Sequence, residues 1–166
     1  MEYLFGAVLG YLLGSTSIAT IISRYKGIDI KKVGSNNPGA SNVFMLVGRK
    51  YGVIVALVDI FKAFISAELT FIIFPNSYNA AIIAGSFAVI GHIYPIFLKF
   101  KGGKGTATFL GLVLFYNWKI FVILIVLMAL ITVISNFIVF ATFTSITIMM
   151  VYPYIVNDNI VVKFAF

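Results

Sequence analysis

The sequence predicts an all-α protein: a polytopic membrane helix bundle of about five transmembrane helices, with two Gly-rich loops on its cytoplasmic side. Three observations carry that expectation. The chain of 166 residues is 61% hydrophobic and only 10% charged, far from the balance of a soluble domain. Its mean hydropathy of +1.09 exceeds what one buried core helix produces, because almost no polar surface offsets it. The basic residues concentrate in two stretches, Arg24 to Lys50 and Lys99 to Lys104, that interrupt apolar runs of span length. A single integral-membrane domain over residues 1–166 is the expected organisation.

The elements follow in order. Tyr3 to Ser23 is the first span, and Gly6, Gly10 and Gly14 repeat every four residues along it, a stripe that lets another helix approach closely. Glu2 stands where a signal peptide has its basic region, and the apolar run is too long for a signal core, so this segment is expected to stay in the mature protein. Arg24 to Lys50 is a polar loop with six basic residues and one acid, Asp29. Gly52 to Phe74 is the second span and ends in the uncharged turn "PNSYN". Ala80 to Leu98 is the third. Thr106 to Phe115 is too short for an upright span and "YNWK" interrupts it; Ile120 to Ile134 and Phe137 to Val156 complete the five. The count falls to four if Trp118 and Lys119 lie within one longer helix. Two crossings separate the basic stretches, so both face one side, and the positive-inside bias makes that side the cytoplasm.

The chemistry is bounded by what the chain lacks. Without cysteine and with His92 as the single histidine, it has no disulfide, no thiol nucleophile and no multi-histidine metal cluster. No metal and no cofactor are expected. The formal net charge of +7 lies beside hydrophobic spans, where topology, anionic lipid or an anionic substrate accounts for it without nucleic acid.

Two loops are candidates for a site. In "KGGKGTAT" three glycines surround Lys104 and helical pattern resumes at Thr106, read as an N-cap. Converging amides, a helix N-terminus and an ammonium suit an oxyanion, although a tight basic turn has the same composition. It is not a Walker A loop, since Gly105 follows the lysine and the four-residue gap between glycines is absent. In "GSNNPGASN", Ser35, Asn36, Asn37 and Asn42 offer neutral hydrogen-bonding groups before a helix near Ala40. Lys31, Lys32, Arg49 and Lys50 either draw in anions or mark topology. Asp59 and Lys62 share a helix face; they either neutralise each other or place a substrate lysine. His92 is either a structural hydrogen-bonding residue or a general base.

"GIDIKKVGSNNPGASNV" with "GRKYGVIVALVDIFKA", and "GHIYPIFLKFKGGKGTATFLG", resemble the first and second motif regions of the bacterial membrane acyl-phosphate:glycerol-3-phosphate acyltransferases (PlsY type). The resemblance runs from about Gly14 to Gly111. It implies a multi-pass protein of the bacterial inner (plasma) membrane with a seven-helix fold and a cytoplasmic active site. The implied partners are acyl phosphate, glycerol 3-phosphate and membrane lipid; the products are lysophosphatidic acid and phosphate, and no cofactor takes part. Carried over residue by residue, Ser35, Asn37, Gly39 and Asn42 match the first motif, and His92, Gly102, Gly103, Lys104 and Gly105 the second, all as substrate-binding positions. No catalytic base is assigned; the substrate's own phosphate is the candidate proton acceptor. The chain departs from the pattern in three places. Phe44 and Met45 stand where the family has arginine, with Arg49 one helical turn on as a substitute. "SNFIVFAT" (Ser135 to Thr142) matches the third motif loosely, with Thr142 at a usual serine. The family's segment bearing His, Asn and Glu does not occur before Phe166, so the chain is expected to be C-terminally short. These departures keep an alternative in view, a catalytically inactive paralogue that holds a lipid phosphate or a membrane protein partner. A transporter has less support, because no inverted repeat is evident.

Overall fold

The computed structural model describes residues 1–166 as nine α-helices without a strand. They form two compact units, Met1–Leu112 and Val113–Phe166.

In the first unit, the expected opening span is two helices, α1 (Glu2–Gly14) and α2 (Ile18–Tyr25). The break has a local cause. Thr16 Oγ1 donates to Leu13 O at 2.7 Å, and Ser17 Oγ accepts from Thr20 N–H as the N-cap of α2. Short polar side chains here compete for the backbone groups a continuous helix would pair.

The glycine stripe does what its spacing predicts. A Cβ at Gly6, Gly10 or Gly14 would run into the carbonyl oxygens of Ala80, Ala84 and Ala88 respectively. These alanines also recur every four residues, on α5 (Tyr78–Ile93), so α1 and α5 meet backbone to backbone.

The polar loop contains a short helix, α3 (Ala40–Leu46), starting where expected. Gly48, at φ +135°, separates it from α4 (Arg49–Ile73). Met45 and Arg49 therefore belong to different helices, and the expectation that Arg49 lies one turn along the same face is corrected. At 25 residues α4 is about 37 Å long, more than the roughly 30 Å hydrocarbon layer requires. Its inward face is small and polar (Gly52, Asp59, Lys62, Ser66, Thr70), while Leu57, Phe61, Ile65 and Leu69 point outward. Apolar outside and polar inside is the reverse of a soluble helix and suits lipid.

α5 ends at Ile93. Pro95 has no N–H to continue the α-helix, and a single 3₁₀ turn, Ile96–Leu98, carries the third span to Leu98 as expected. After the lysine loop, α6 (Thr106–Tyr116) is the expected short helix.

In the second unit, α7 (Trp118–Ser135) opens on Asn117, whose Oδ1 accepts from Lys119 and Ile120 N–H. Trp118 and Lys119 thus lie in the exposed first turn of α7, not within a longer helix. Asn136, at φ +59°, ends it; α8 (Ile138–Ile155) and α9 (Ile160–Ala165) follow. Tyr116 Oη donates to Asp158 Oδ2 at 2.6 Å, closing this unit.

Four helical stretches are long and apolar enough to cross a membrane: Glu2–Tyr25, Tyr78–Leu98, Trp118–Ser135 and Ile138–Ile155. With α4, whose Asp59, Lys62 and Glu68 lower its hydropathy, five segments have crossing length.

Candidate active site

The lysine loop folds back onto the C-terminal end of α5. Gly102 N–H donates to Ile93 O at 3.1 Å and Gly103 N–H to His92 O at 3.0 Å. The approach admits no side chain: a Cβ at 102 would strike the His92 carbonyl and Pro95, and one at 103 would strike the His92 ring at Nε2. Gly105, at φ +83°, turns the chain into α6. Thr106 is the first helical residue, one place beyond the capping position expected for it.

This geometry corrects where the amides are. Those of Gly102 and Gly103 are already bonded, so these glycines serve close packing. The free donors are the N–H groups of Lys104 to Thr108; the first backbone donor after them is Phe109 N–H, to Gly105 O at 2.7 Å. Unpaired amides in the first turn of a helix carry partial positive charge. The Lys104 side chain beside them is exposed and enters no ion pair. Thr108 Oγ1 in the same turn is buried without a partner.

The first loop is organised by one residue. Asn42 is 1% exposed. Its Oδ1 accepts from Ser35 N–H at 3.2 Å, and its Nδ2 donates to the carbonyls of Ile30, Val33 and Asn37 at 3.1–3.2 Å. Every hydrogen-bonding atom of the carboxamide is engaged within the loop, so Asn42 holds the backbone of the first loop together. Gly34 (φ +61°) and Asn36 (φ +55°) make the turns, and Ser35 between them is exposed. Asn37 is half-buried, its side chain against Gly39, which precedes α3 with extended backbone.

The two loops touch. Lys31 Nζ donates to Leu98 O at 3.2 Å, just before Lys99 and Phe100, consecutive non-glycine residues with φ +54° and +58°. Lys32 pairs with Asp29 at 3.5 Å on the surface. Composition showed these lysines only as topology or anion signals, because the carbonyl that receives Lys31 lies 67 positions away.

Behind the lysine loop is a buried charged cluster. Lys62 Nζ donates to Asp59 Oδ1 at 2.9 Å and to Thr16 O, in the α1–α2 break, at 3.3 Å, and also contacts Nδ1 of His92. Asp59 is 3% exposed, Lys62 6% and His92 8%. Of the two readings of Asp59 and Lys62, mutual neutralisation holds, and Lys62 is no surface cation for a substrate. Sequence reasoning missed Thr16; the polar "STS" after Gly14 was the available signal. It also missed the buried, unpartnered hydroxyls of Ser15 and Ser23. No group of three or more His, Cys, Asp or Glu side chains has metal-site geometry.

Among known proteins, the sequence profile described as "Glycerol-3-phosphate acyltransferase" matches residues 4–166. The glycerol-3-phosphate acyltransferase of Aquifex aeolicus is 44% identical over 113 residues, 68% of this chain and 59% of that protein. That of Bacillus subtilis is 35% identical over 153 residues, 92% of this chain and 78% of the relative. The chain thus spans less than two thirds of the Aquifex relative and more of the Bacillus one. The crystal structure of PlsY, an integral membrane glycerol 3-phosphate acyltransferase, superimposes in its glycerol 3-phosphate form with a TM-score of 0.91 at 33% identity. That match covers 99% of this chain and 82% of the solved one; the lysophosphatidic acid form gives 0.89.

Proposed function

Because the chain belongs to the glycerol-3-phosphate acyltransferase family, we propose that it transfers a fatty acyl group from acyl phosphate to glycerol 3-phosphate. The primary hydroxyl of the acceptor attacks the acyl carbonyl, the new ester C–O bond forms and the acyl C–O bond to phosphate breaks. Lysophosphatidic acid and inorganic phosphate leave, and the hydroxyl proton passes to phosphate. An acyl phosphate is already activated, so binding, orientation and charge stabilisation suffice.

The observation that carries this reading is the run of unbonded amides from Lys104 to Thr108, beside an uncompensated ammonium at the start of α6. That arrangement suits a phosphate or developing oxyanion. Lys104 is assigned to charge stabilisation there, and Ser35, Asn37 and Gly39 on the neighbouring loop to substrate contact. The backbone of Gly102, Gly103 and Gly105 shapes the loop. We place both loops on the cytoplasmic face of the bacterial inner membrane, where α4 begins and α5 ends.

The test uses the protein purified in nanodiscs with acyl phosphate and glycerol 3-phosphate, following lysophosphatidic acid and phosphate release. Turnover is expected, and Lys104→Ala should lower kcat/KM by about 10²-fold or more, as loss of one oxyanion-stabilising donor does. Binding of acyl phosphate without turnover in the wild type would instead mark a non-catalytic paralogue. Turnover that ignores Lys104 would move the site elsewhere.

A further inference from the structure

The contacts of Lys62 determine where the proton of His92 sits. A lysine ammonium has three N–H donors and no lone pair. Three acceptors surround it: Asp59 Oδ1, Thr16 O and His92 Nδ1. Nδ1 is the accepting nitrogen when all three donors are satisfied, and three acceptors stand within reach of the three N–H groups of this buried ammonium. Asp59 Oδ1 is the competing acceptor for a proton on Nδ1, at 3.5 Å, but Lys62 holds that oxygen at 2.9 Å. The neutral imidazole then carries its proton on Nε2, the second nitrogen being fixed by the bond the first one makes.

Nε2 faces Gly103, where any Cβ would overlap it. The polar contacts of the ring are all made through Nδ1. The ring therefore holds an N–H against the loop that carries Lys104, within a setting of lowered dielectric.

We propose that His92 is a fixed hydrogen-bond donor, its Nε2–H directed at a phosphate oxygen of the ligand held by the Lys104 loop, with Lys62 and Asp59 as positioning residues that maintain this tautomer. The identity of the oxygen rests on the acyltransferase reading; the tautomer does not. A nitrogen already protonated cannot accept the acceptor's hydroxyl proton, so His92 is not the general base.

The chain has one histidine, so ¹⁵N-histidine labelling reports on this ring alone. In nanodiscs at neutral pH, the wild type should give the pair of ¹⁵N shifts of a neutral, Nε2-protonated ring. In Lys62→Met, Nδ1 loses its donor and faces Asp59, so the proton should appear on Nδ1, or a second one should be added. An Nδ1-protonated or charged ring in the wild type overturns the proposal, and so does a folded Lys62→Met with an unchanged spectrum. If Lys62→Met does not fold, the wild-type spectrum decides. Glycerol 3-phosphate and a hydrolysis-resistant acyl phosphonate, each saturating by calorimetry, should shift Nε2 more than Nδ1; the ligand that does so identifies whose phosphate is met. An unmoved Nε2 with both ligands bound reduces His92 to a structural strut and overturns the donor role. Failure of both to bind sinks the acyltransferase reading and the donor role with it, while the tautomer stands or falls on the ligand-free spectrum.

Discussion

At the scale of single residues, Asn42 ties the first loop together, its carboxamide bonding the backbone of Ile30, Val33, Ser35 and Asn37. Asn42 and Ser35 look equivalent in "GSNNPGASN", yet one is buried with four hydrogen bonds and the other is exposed. The difference is one of position: Asn42 lies in the first turn of α3, whose face turns back under the loop, whereas Ser35 sits between two left-handed residues that lift it outward. Asn42→Ala should therefore act on stability. It strands the Ser35 amide and the Ile30 carbonyl, while Val33 O and Asn37 O keep the N–H groups of Asn36 and Gly39, and a loss of about 2–4 kcal/mol is expected for two buried groups of this kind. Thermal unfolding in detergent measures it, with Asn42→Asp recovering only the bond to Ser35 N–H. A normal melting temperature with lost turnover would return Asn42 to the substrate. Lys62 makes the same point in reverse. Its charge in a span signalled a partner, and Asp59 three residues away was legible, but Thr16 lies in the α1–α2 break and His92 on α5, and no local spacing announces them.

At the scale of elements, periodicity was legible where packing enforces it along a whole helix. The spacing of Gly6, Gly10 and Gly14 predicted a close helix contact, and the structure supplies Ala80, Ala84 and Ala88 as its other side. The stop at Ser15 was not legible, because hydropathy over a span-length window averages three polar residues into their apolar surroundings. The α1–α5 contact is testable through Gly10, where an added Cβ would occupy the place of the Ala84 carbonyl. Backbone cannot step aside as a side chain can, so Gly10→Ala forces the helices apart. A loss of about 1–3 kcal/mol is expected, the range for overpacked contacts. Val8→Ala, on the exposed side of α1, should leave the melting temperature unchanged. Equal effects from the two substitutions would mean that helix propensity, not the interface, governs this element.

At the scale of the whole molecule, hydropathy and charge were enough for an all-helical membrane protein, because lipid permits few architectures; the family was legible only in the motifs around Ser35 and Lys104. Relative loop placement also follows from a whole-chain property, the parity of crossings. α4 leaves the first loop, the turn at Phe74–Ser77 reverses the chain, and α5 returns it to the lysine loop. The hydrogen bond from Lys31 to Leu98 requires that both loops lie at one end of this hairpin and "PNSY" at the other. Absence of cysteine makes the arrangement directly measurable with single introduced thiols. Lys32→Cys and Lys101→Cys, both at exposed positions, should react with a membrane-impermeant maleimide only after cells are opened. Asn76→Cys, exposed in the turn between α4 and α5, should react in intact cells. Reversal of all three would keep the hairpin and invert its orientation, against the positive-inside bias. Labelling of Lys32→Cys and Lys101→Cys from different sides would be incompatible with the Lys31–Leu98 bond, and no shared phosphate site could then be built from the two loops.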